Sequence, residues 1–173
     1  MPRAHASLPS DGEPPGGDLE VRDAVRGDLP HLVDIENHVF AGDRLTRRAF
    51  RHLLTRANAI NLVAVSGAGV VGYVTVLLRR GSAGARIYSL AVHPRWQGRG
   101  VGTRLLQLAE SRAAQRGCTF MRLEVRADNA GAIRQYVRAG YGRIGAKPAY
   151  YDDGEMALRF QKPLAPHEGA RTS

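Results

Sequence analysis

Cysteine is almost missing from this chain. Cys118 is its only one, which excludes an internal disulfide and a multi-cysteine metal site. It follows Gly117, where a helical pattern ends, and opens an apolar strand, so a small buried side chain is expected. A nucleophilic thiol would need an activating neighbour, and none is evident. The six histidines show no ligand spacing, so no metal is expected. Long apolar runs are also missing. The longest, Val70 to Leu78, is far short of a membrane span and is interrupted by Gly72 and Thr75. Residues 1–17 lack the apolar core of a secretion signal. They are rich in Pro, Gly, Ser and charge without apolar periodicity, and read as a disordered tail. A cytoplasmic location with no membrane partner is the expectation. Lysine is scarce too, with only Lys147 and Lys162, so the net charge of +9 and the pI of about 10.5 are carried by arginine. The arginines are spread along the whole chain. That distribution reads as a solvated surface plus local phosphate contacts, and specific nucleic-acid recognition is not expected.

What the chain does have is one informative stretch, Tyr88-Ser-Leu-Ala-Val-His-Pro-Arg-Trp-Gln-Gly-Arg-Gly-Val-Gly-Thr-Arg-Leu-Leu106. An apolar strand runs to Pro94, then a glycine-rich turn, then a helical pattern. Gly98, Gly100 and Gly102 leave the backbone bare, so successive amides can point at one anion at the positive end of a helix. Arg95, Arg99 and Arg104 flank the turn. His93 precedes it and reads as a solvated turn residue, or as a phosphate contact. A Walker A loop would need Gly-Lys-Ser/Thr, which is missing. A dinucleotide fingerprint starting at Gly98 would need a third glycine where Thr103 stands, although Glu124 lies where a ribose-binding acid would be. The pattern that fits in full is Gln-x-x-Gly-x-Gly, Gln97 to Gly102, directly after a strand.

Three further segments follow in order: Arg122-Leu-Glu-Val-Arg-Ala-Asp-Asn129, Ala132 to Tyr141, and Tyr150-Tyr-Asp-Asp-Gly-Glu155. With the loop, this series resembles the GNAT N-acetyltransferase family, in particular the branch of ribosomal-protein alanine and protein N-terminal acetyltransferases. The likeness covers roughly residues 18 to 162 and is most specific from Tyr88 to Tyr141.

The length suits one domain with one core, expected over residues 18–163, with a flexible tail at 164–173. The pattern reads as a first strand in Leu19 to Val25, a helix with Pro30 in its first turn, and a second helix capped by Thr46. The second helix has a stripe of Phe50, Leu53, Leu54 and Ala57. A hairpin over Asn61 to Leu78 comes next, then a strand over Arg86 to Val92 and the loop-bearing helix ended by Gly117. Met121 to Val125 is a fifth strand, Asn129 to Ala139 a short helix, and Tyr141 to Ile144 and Met156 to Phe160 the last strands. The class is α+β with a mixed sheet. The resemblance implies the acyl-CoA N-acyltransferase fold, a mostly antiparallel sheet whose fourth and fifth strands splay apart.

The resemblance also implies acetyl-CoA as cosubstrate, with no metal, and a primary amine as acceptor, foremost a protein or peptide N-terminal α-amine. The pyrophosphate would sit on the loop, Gln97, Gly98, Arg99, Gly100, Val101, Gly102 and Thr103. The pantetheine arm would pair with the backbone at Leu90 and Val92, which otherwise read as core. Glu124 alternates with Leu123 and Val125 on a strand, where a carboxylate is costly without work or a partner. It is the candidate base, and partial burial would raise its pKa. Otherwise it is a salt-bridge partner of Arg122 or Arg126. Tyr136 is the candidate acid, or else a core aromatic. Asn129 would cap its helix or touch the cofactor. Tyr150 and Tyr151 would clamp a peptide backbone, and Arg47, Arg48 and Arg51 would favour acidic groups nearby. Lys147-Pro148 and Glu155-Met156 depart from the family's pattern around the tyrosines. Small amines such as polyamines or aminoglycosides, lysine side chains, and an acyl-CoA-sensing module without activity are the alternatives. Monomer and homodimer both remain open.

Overall fold

A computed structural model of the protein describes residues 18–166 except 57 and 68. Both expected tails lie outside these residues, apart from Leu164 to Pro166, and so does Ala57 of the expected helix stripe. The elements are β1 (Glu20–Asp23), α1 (Leu29–Val39), α2 (Arg47–Thr55), β2 (Ala59–Ser66), β3 (Gly69–Leu78), β4 (Gly84–Val92), α3 (Val101–Gln115), β5 (Phe120–Arg126), α4 (Ala130–Arg138), β6 (Gly142–Lys147) and β7 (Ala157–Pro163). They build one seven-stranded sheet in the order β1-β2-β3-β4-β5-β7-β6.

Local chemistry sets most element ends. Pro30 stands in the first turn of α1, where its missing N–H costs nothing. The Thr46 hydroxyl accepts from Ala49 N at 3.1 Å and opens α2. Asn129 does the same for α4 through Ala132 N at 3.1 Å. Gly117 and Gly140 follow α3 and α4 with φ of 86° and 96°, the left-handed form that ends helices.

The sheet is covered on both faces. Val101, Leu105, Leu106 and Ala109 of α3 and Tyr136 of α4 meet Leu62, Val74, Met121 and Leu123 on one side. Leu105 and Leu106 are fully buried, whereas Leu108 is only half-buried. Leu29, Leu32 and Ile35 of α1 and Phe50 of α2 meet Val63, Tyr73 and Ala91 on the other side. Alternation along β2 and β3 sends neighbours to opposite layers.

Every strand pair is antiparallel except β4–β5. That parallel pair has three registered positions, Gly84↔Phe120, Ala85↔Met121 and Arg86↔Arg122. Beyond them the two strands part, and β7 supplies the other neighbour of β5 over its whole length. The expected splay of the fourth and fifth strands is therefore present. β7 lies inside the sheet between β5 and β6, which the sequence pattern leaves open.

Candidate active site

The gap between β4 and β5 opens into a cavity of about 910 Å³. Leu90 from β4, Glu124 from β5, Asn129 and Tyr136 from the α4 segment, and Tyr150 and Tyr151 from the β6–β7 connection all line it. Six of the expected site residues thus share one space. Val92 and Gln97 to Thr103 lie outside it. Thr103 borders a separate small cleft of about 280 Å³ between α3 and α4.

Glu124 is 8% exposed in its side chain and carries two cations. Arg86 Nε donates to Oε2 at 2.9 Å and Lys147 Nζ donates to Oε1 at 3.3 Å. The salt bridge expected to Arg122 or Arg126 is not formed. Arg122 instead donates to Gln161, and Arg126 binds Asp128 and Asp153. Parallel pairing brings Arg86 of β4 across to the face that carries Glu124. A carboxylate offers about four lone-pair sites, so two cations leave room for an incoming N–H.

Tyr136 is 7% exposed, and its ring meets Tyr141 edge-on at 5.8 Å. Its hydroxyl makes no hydrogen bond among the described residues. Burial raises the phenol well above its ordinary value, so it stays protonated through the neutral range. Asn129 both caps α4 and borders the cavity, so its two expected roles coexist. Tyr150 accepts from Arg86 Nη2 at 3.0 Å and meets Tyr151 edge-on at 5.0 Å. Lys147 lies over Tyr150, and Arg126 lies 4.8 Å over Tyr151. Burial, then the neighbouring Tyr150, push the Tyr151 phenol up to about 12.

The glycine-rich loop has the form of an anion cradle. Gly98 and Gly100 adopt φ of 75° and 78°, and open space surrounds the position of a Cβ at each. Gly100 is the N-cap of α3 and has no side chain to bond the first amides, which leaves them for an external acceptor. A Cβ on Gly102 would crowd only the terminal amide of the Gln135 side chain, a flexible group that can turn aside. The Gln97 side chain donates to Val92 O at 3.1 Å and ties the loop to the end of β4. Arg104 is drawn away from the loop and bonds Leu19 O, whereas Arg99 lies 5.5 Å over Trp96. His93 caps the short turn at Pro94–Trp96 through Arg95 N at 3.2 Å. Cys118 is buried, and burial raises its thiol, as expected of a packing residue.

Several residues at this site escape sequence reading. Glu36 lines the cavity at 2% exposure. It accepts from Leu45 N at 2.7 Å and from the Tyr73 hydroxyl, which contacts Ser89 Oγ at 2.7 Å. Burial raises its carboxyl. The only signal in the sequence is a carboxylate four residues after Leu32, on the apolar face of its helix. The mouth is acidic, because Asp43, Asp128, Asp152 and Asp153 join Glu36 and Glu124 against two guanidiniums, Arg86 and Arg126. Both guanidiniums are already ion-paired. Arg47, Arg48 and Arg51, expected to favour acidic groups nearby, do not themselves line the cavity.

A splayed mixed sheet, an amide cradle at a helix start and a cavity between them holding a carboxylate and a phenol define an acyl-CoA-dependent acyltransferase fold. The family model of the GNAT acetyltransferases matches residues 29–141, and the chain belongs to that family. It is therefore an N-acetyltransferase, and the family's acetyl donor is acetyl-CoA. Among curated proteins it is similar to the N-alpha-acetyltransferase RimI of Mycobacterium tuberculosis, with 33% identity over 131 residues, 73% of this chain and 80% of that one. Among solved structures it matches the ribosomal-protein-S18-alanine N-acetyltransferase of Escherichia coli. That match has a TM-score of 0.77 and 24% identity, covering 90% and 99% of the two chains. It also matches a nourseothricin acetyltransferase, with a TM-score of 0.71 and 26% identity over 85% and 99%.

Proposed function

We propose that this enzyme acetylates the N-terminal α-amine of a protein or peptide in the cytoplasm. Glu124 is its base and Tyr136 its acid. The observation that carries this reading is that both side chains open onto the one cavity between the parted strands, with Tyr150 and Tyr151 at its mouth. Similarity to N-alpha-acetyltransferases supports the acceptor class.

The residues fit acetyl-CoA. The uncapped amides of Val101, Gly102 and Thr103, together with Gly98 and Gly100, would hold its pyrophosphate. The β4 backbone at Leu90 and Val92 would lie along the pantetheine arm, and acetyl-CoA supplies the thioester carbonyl. Glu124 would accept a proton from the ammonium or from the amine as it attacks. Arg86 and Lys147 hold that carboxylate in place. Tyr136 would give its proton to the departing thiolate sulfur. Each proton-transfer group of this kind contributes about 10²–10⁴-fold.

The α-amine is the easier acceptor. Its pKa is about 7.7–8.0 against about 10.4 for lysine, so far more of it is neutral near pH 7. A second reading, a small polycationic amine, has one observation in its favour, the carboxylate-lined mouth. Mass spectrometry decides between them on one peptide that carries both a free N-terminus and an internal lysine, run beside spermidine. Acetylation confined to the N-terminus is expected. Acetylation of the lysine alone, or of spermidine but neither peptide site, overturns the α-amine reading.

A further inference from the structure

After Asp43 the chain has no aspartate or glutamate until Glu110, yet this stretch carries eleven arginines and no lysine. Arg86 of that set is committed to Glu124, and Arg95, Arg99 and Arg104 lie in or beside the glycine loop. Most of the rest converge. Arg47, Arg48 and Arg51 stand exposed along α2, while Phe50 and Leu53 of the same helix are buried at 1% and 5%. Arg56 follows and donates to Asn58 Oδ1 at 3.2 Å. Asn58 in turn pairs with Leu78, donating from Nδ2 to its carbonyl at 2.9 Å and accepting from its amide at 2.8 Å. That pairing sets the exposed Arg79 and Arg80 beside the C-terminal end of α2. The result is one ridge of six guanidiniums. Among the described residues, none of the six forms an ion pair with a carboxylate.

We infer that this ridge binds the phosphate backbone of a nucleic acid without regard to sequence. An ordinary solvated surface mixes both signs, whereas the stretch of chain that builds this ridge contains no acid. Guanidinium forks match phosphate oxygens two at a time, and Arg exceeds Lys in this role. The nine residues of α2 span about 13 Å at 1.5 Å per residue. A duplex strand offers a phosphate about every 3.4 Å of axis, so the ridge meets several at once. An anionic membrane fits less well. A helix lying on a bilayer needs an apolar face to insert, and the apolar face of α2 is already packed against β2 and β3. The ridge starts at Thr46, directly after the connection that walls the cavity. A bound nucleic acid would therefore run past the mouth of the active site, where a basic protein terminus held on that nucleic acid could reach the catalytic pair.

The test is fluorescence anisotropy of the full chain with a labelled 20-nucleotide RNA, the matching DNA duplex and phosphatidylserine vesicles, without acetyl-CoA. Log K should fall with log salt at a slope of about −3 to −4, as roughly five phosphate contacts on a single strand require. Arg48→Glu with Arg51→Glu should weaken RNA binding at least about tenfold. It should leave the acetyl-CoA-induced melting shift and the rate on a short peptide unchanged. Arg138→Glu with Arg143→Glu, an equal charge change placed elsewhere, should weaken binding much less. RNA against DNA tells which nucleic acid is preferred, and binding to either supports the inference. A flat salt dependence, equal losses in the two double variants, or tighter binding to vesicles than to nucleic acid overturns it. Because the binding assay needs no acceptor, its failure is distinct from failure of the α-amine reading.

Discussion

The hydroxyl of Tyr136 has no hydrogen-bond partner among the described residues, which separates chemistry from stability at that position. Tyr136→Phe removes no hydrogen bond among the described residues, so its melting temperature and acetyl-CoA affinity should stay close to wild type. Turnover should fall about 10²–10⁴-fold if the phenol protonates the thiolate. Steady-state kinetics beside thermal melts read both, and unchanged turnover would return Tyr136 to a packing role. Glu124→Gln should also lower turnover, most at low pH, where more of the amine is protonated and a base is needed most. A pH–rate profile parallel to wild type would remove the assignment. These two residues are legible in the sequence because strand alternation and helix spacing fix which way each faces. Their partners are not. Arg86 is 38 residues from Glu124 and Lys147 is 23, and only the β4–β5 and β5–β7–β6 pairings bring them together.

Elements come together through contacts that one-dimensional patterns show unevenly. Thr46, Asn129, Gly117 and Gly140 announce their helix ends, and those ends are where the pattern puts them. The clip between β1 and α1 does not show in the pattern. The Arg22 guanidinium grips Asp28 with both arms, at 2.8 and 2.9 Å. This ion pair, with the Val25 amide, holds the Asp28 carboxyl below its ordinary value. A lowered folded-state pKa gives stability that is present above the unfolded value, about 3.9, and lost as pH falls through the folded value. Arg22 is 37% exposed in its side chain, and solvent screening reduces the pair's worth. Asp28→Asn should therefore cost about 1–2 kcal/mol at pH 7 and flatten the loss of stability below pH 4. Denaturant melts at pH 7 and pH 3 check this, and an equal ΔG difference at both would contradict it. At the start of α3, saturating acetyl-CoA at about 100 times its Kd should raise wild-type stability by about 2.7 kcal/mol. Gly100→Glu would set a carboxylate against the pyrophosphate and should abolish that increment. Comparing each protein with and without ligand cancels the backbone strain at φ 78°. A retained increment would place the pyrophosphate elsewhere.

At the scale of the whole molecule, the distribution of charge carries more than its total. The chain is +9, yet six carboxylates face the cavity against two guanidiniums, with the Lys147 ammonium on Glu124 as the third cation. Composition reveals the excess of arginine but not this inversion, because Asp43, Asp152 and Asp153 reach the mouth from two loops more than a hundred residues apart. A side-chain hydrogen bond with Asp43, and then the charge of Asp43, push the Asp152 carboxyl up. A basic exterior around an acidic mouth repels other cations at long range and rewards one that enters, so the inner carboxylates should set local preference. A peptide with arginine at its second position should therefore be a better substrate than the same peptide with glutamate there. Exposed ion pairs are worth up to about 1 kcal/mol each. Two such contacts predict a kcat/KM ratio of roughly 5 to 30, shrinking as salt screens them. Asp43→Asn with Asp152→Asn should bring the ratio toward one and should not lower the melting temperature, since both side chains are exposed and the repulsion between them is removed. A glutamate peptide that equals or exceeds the arginine peptide at low salt would show that the carboxylates do not select the acceptor.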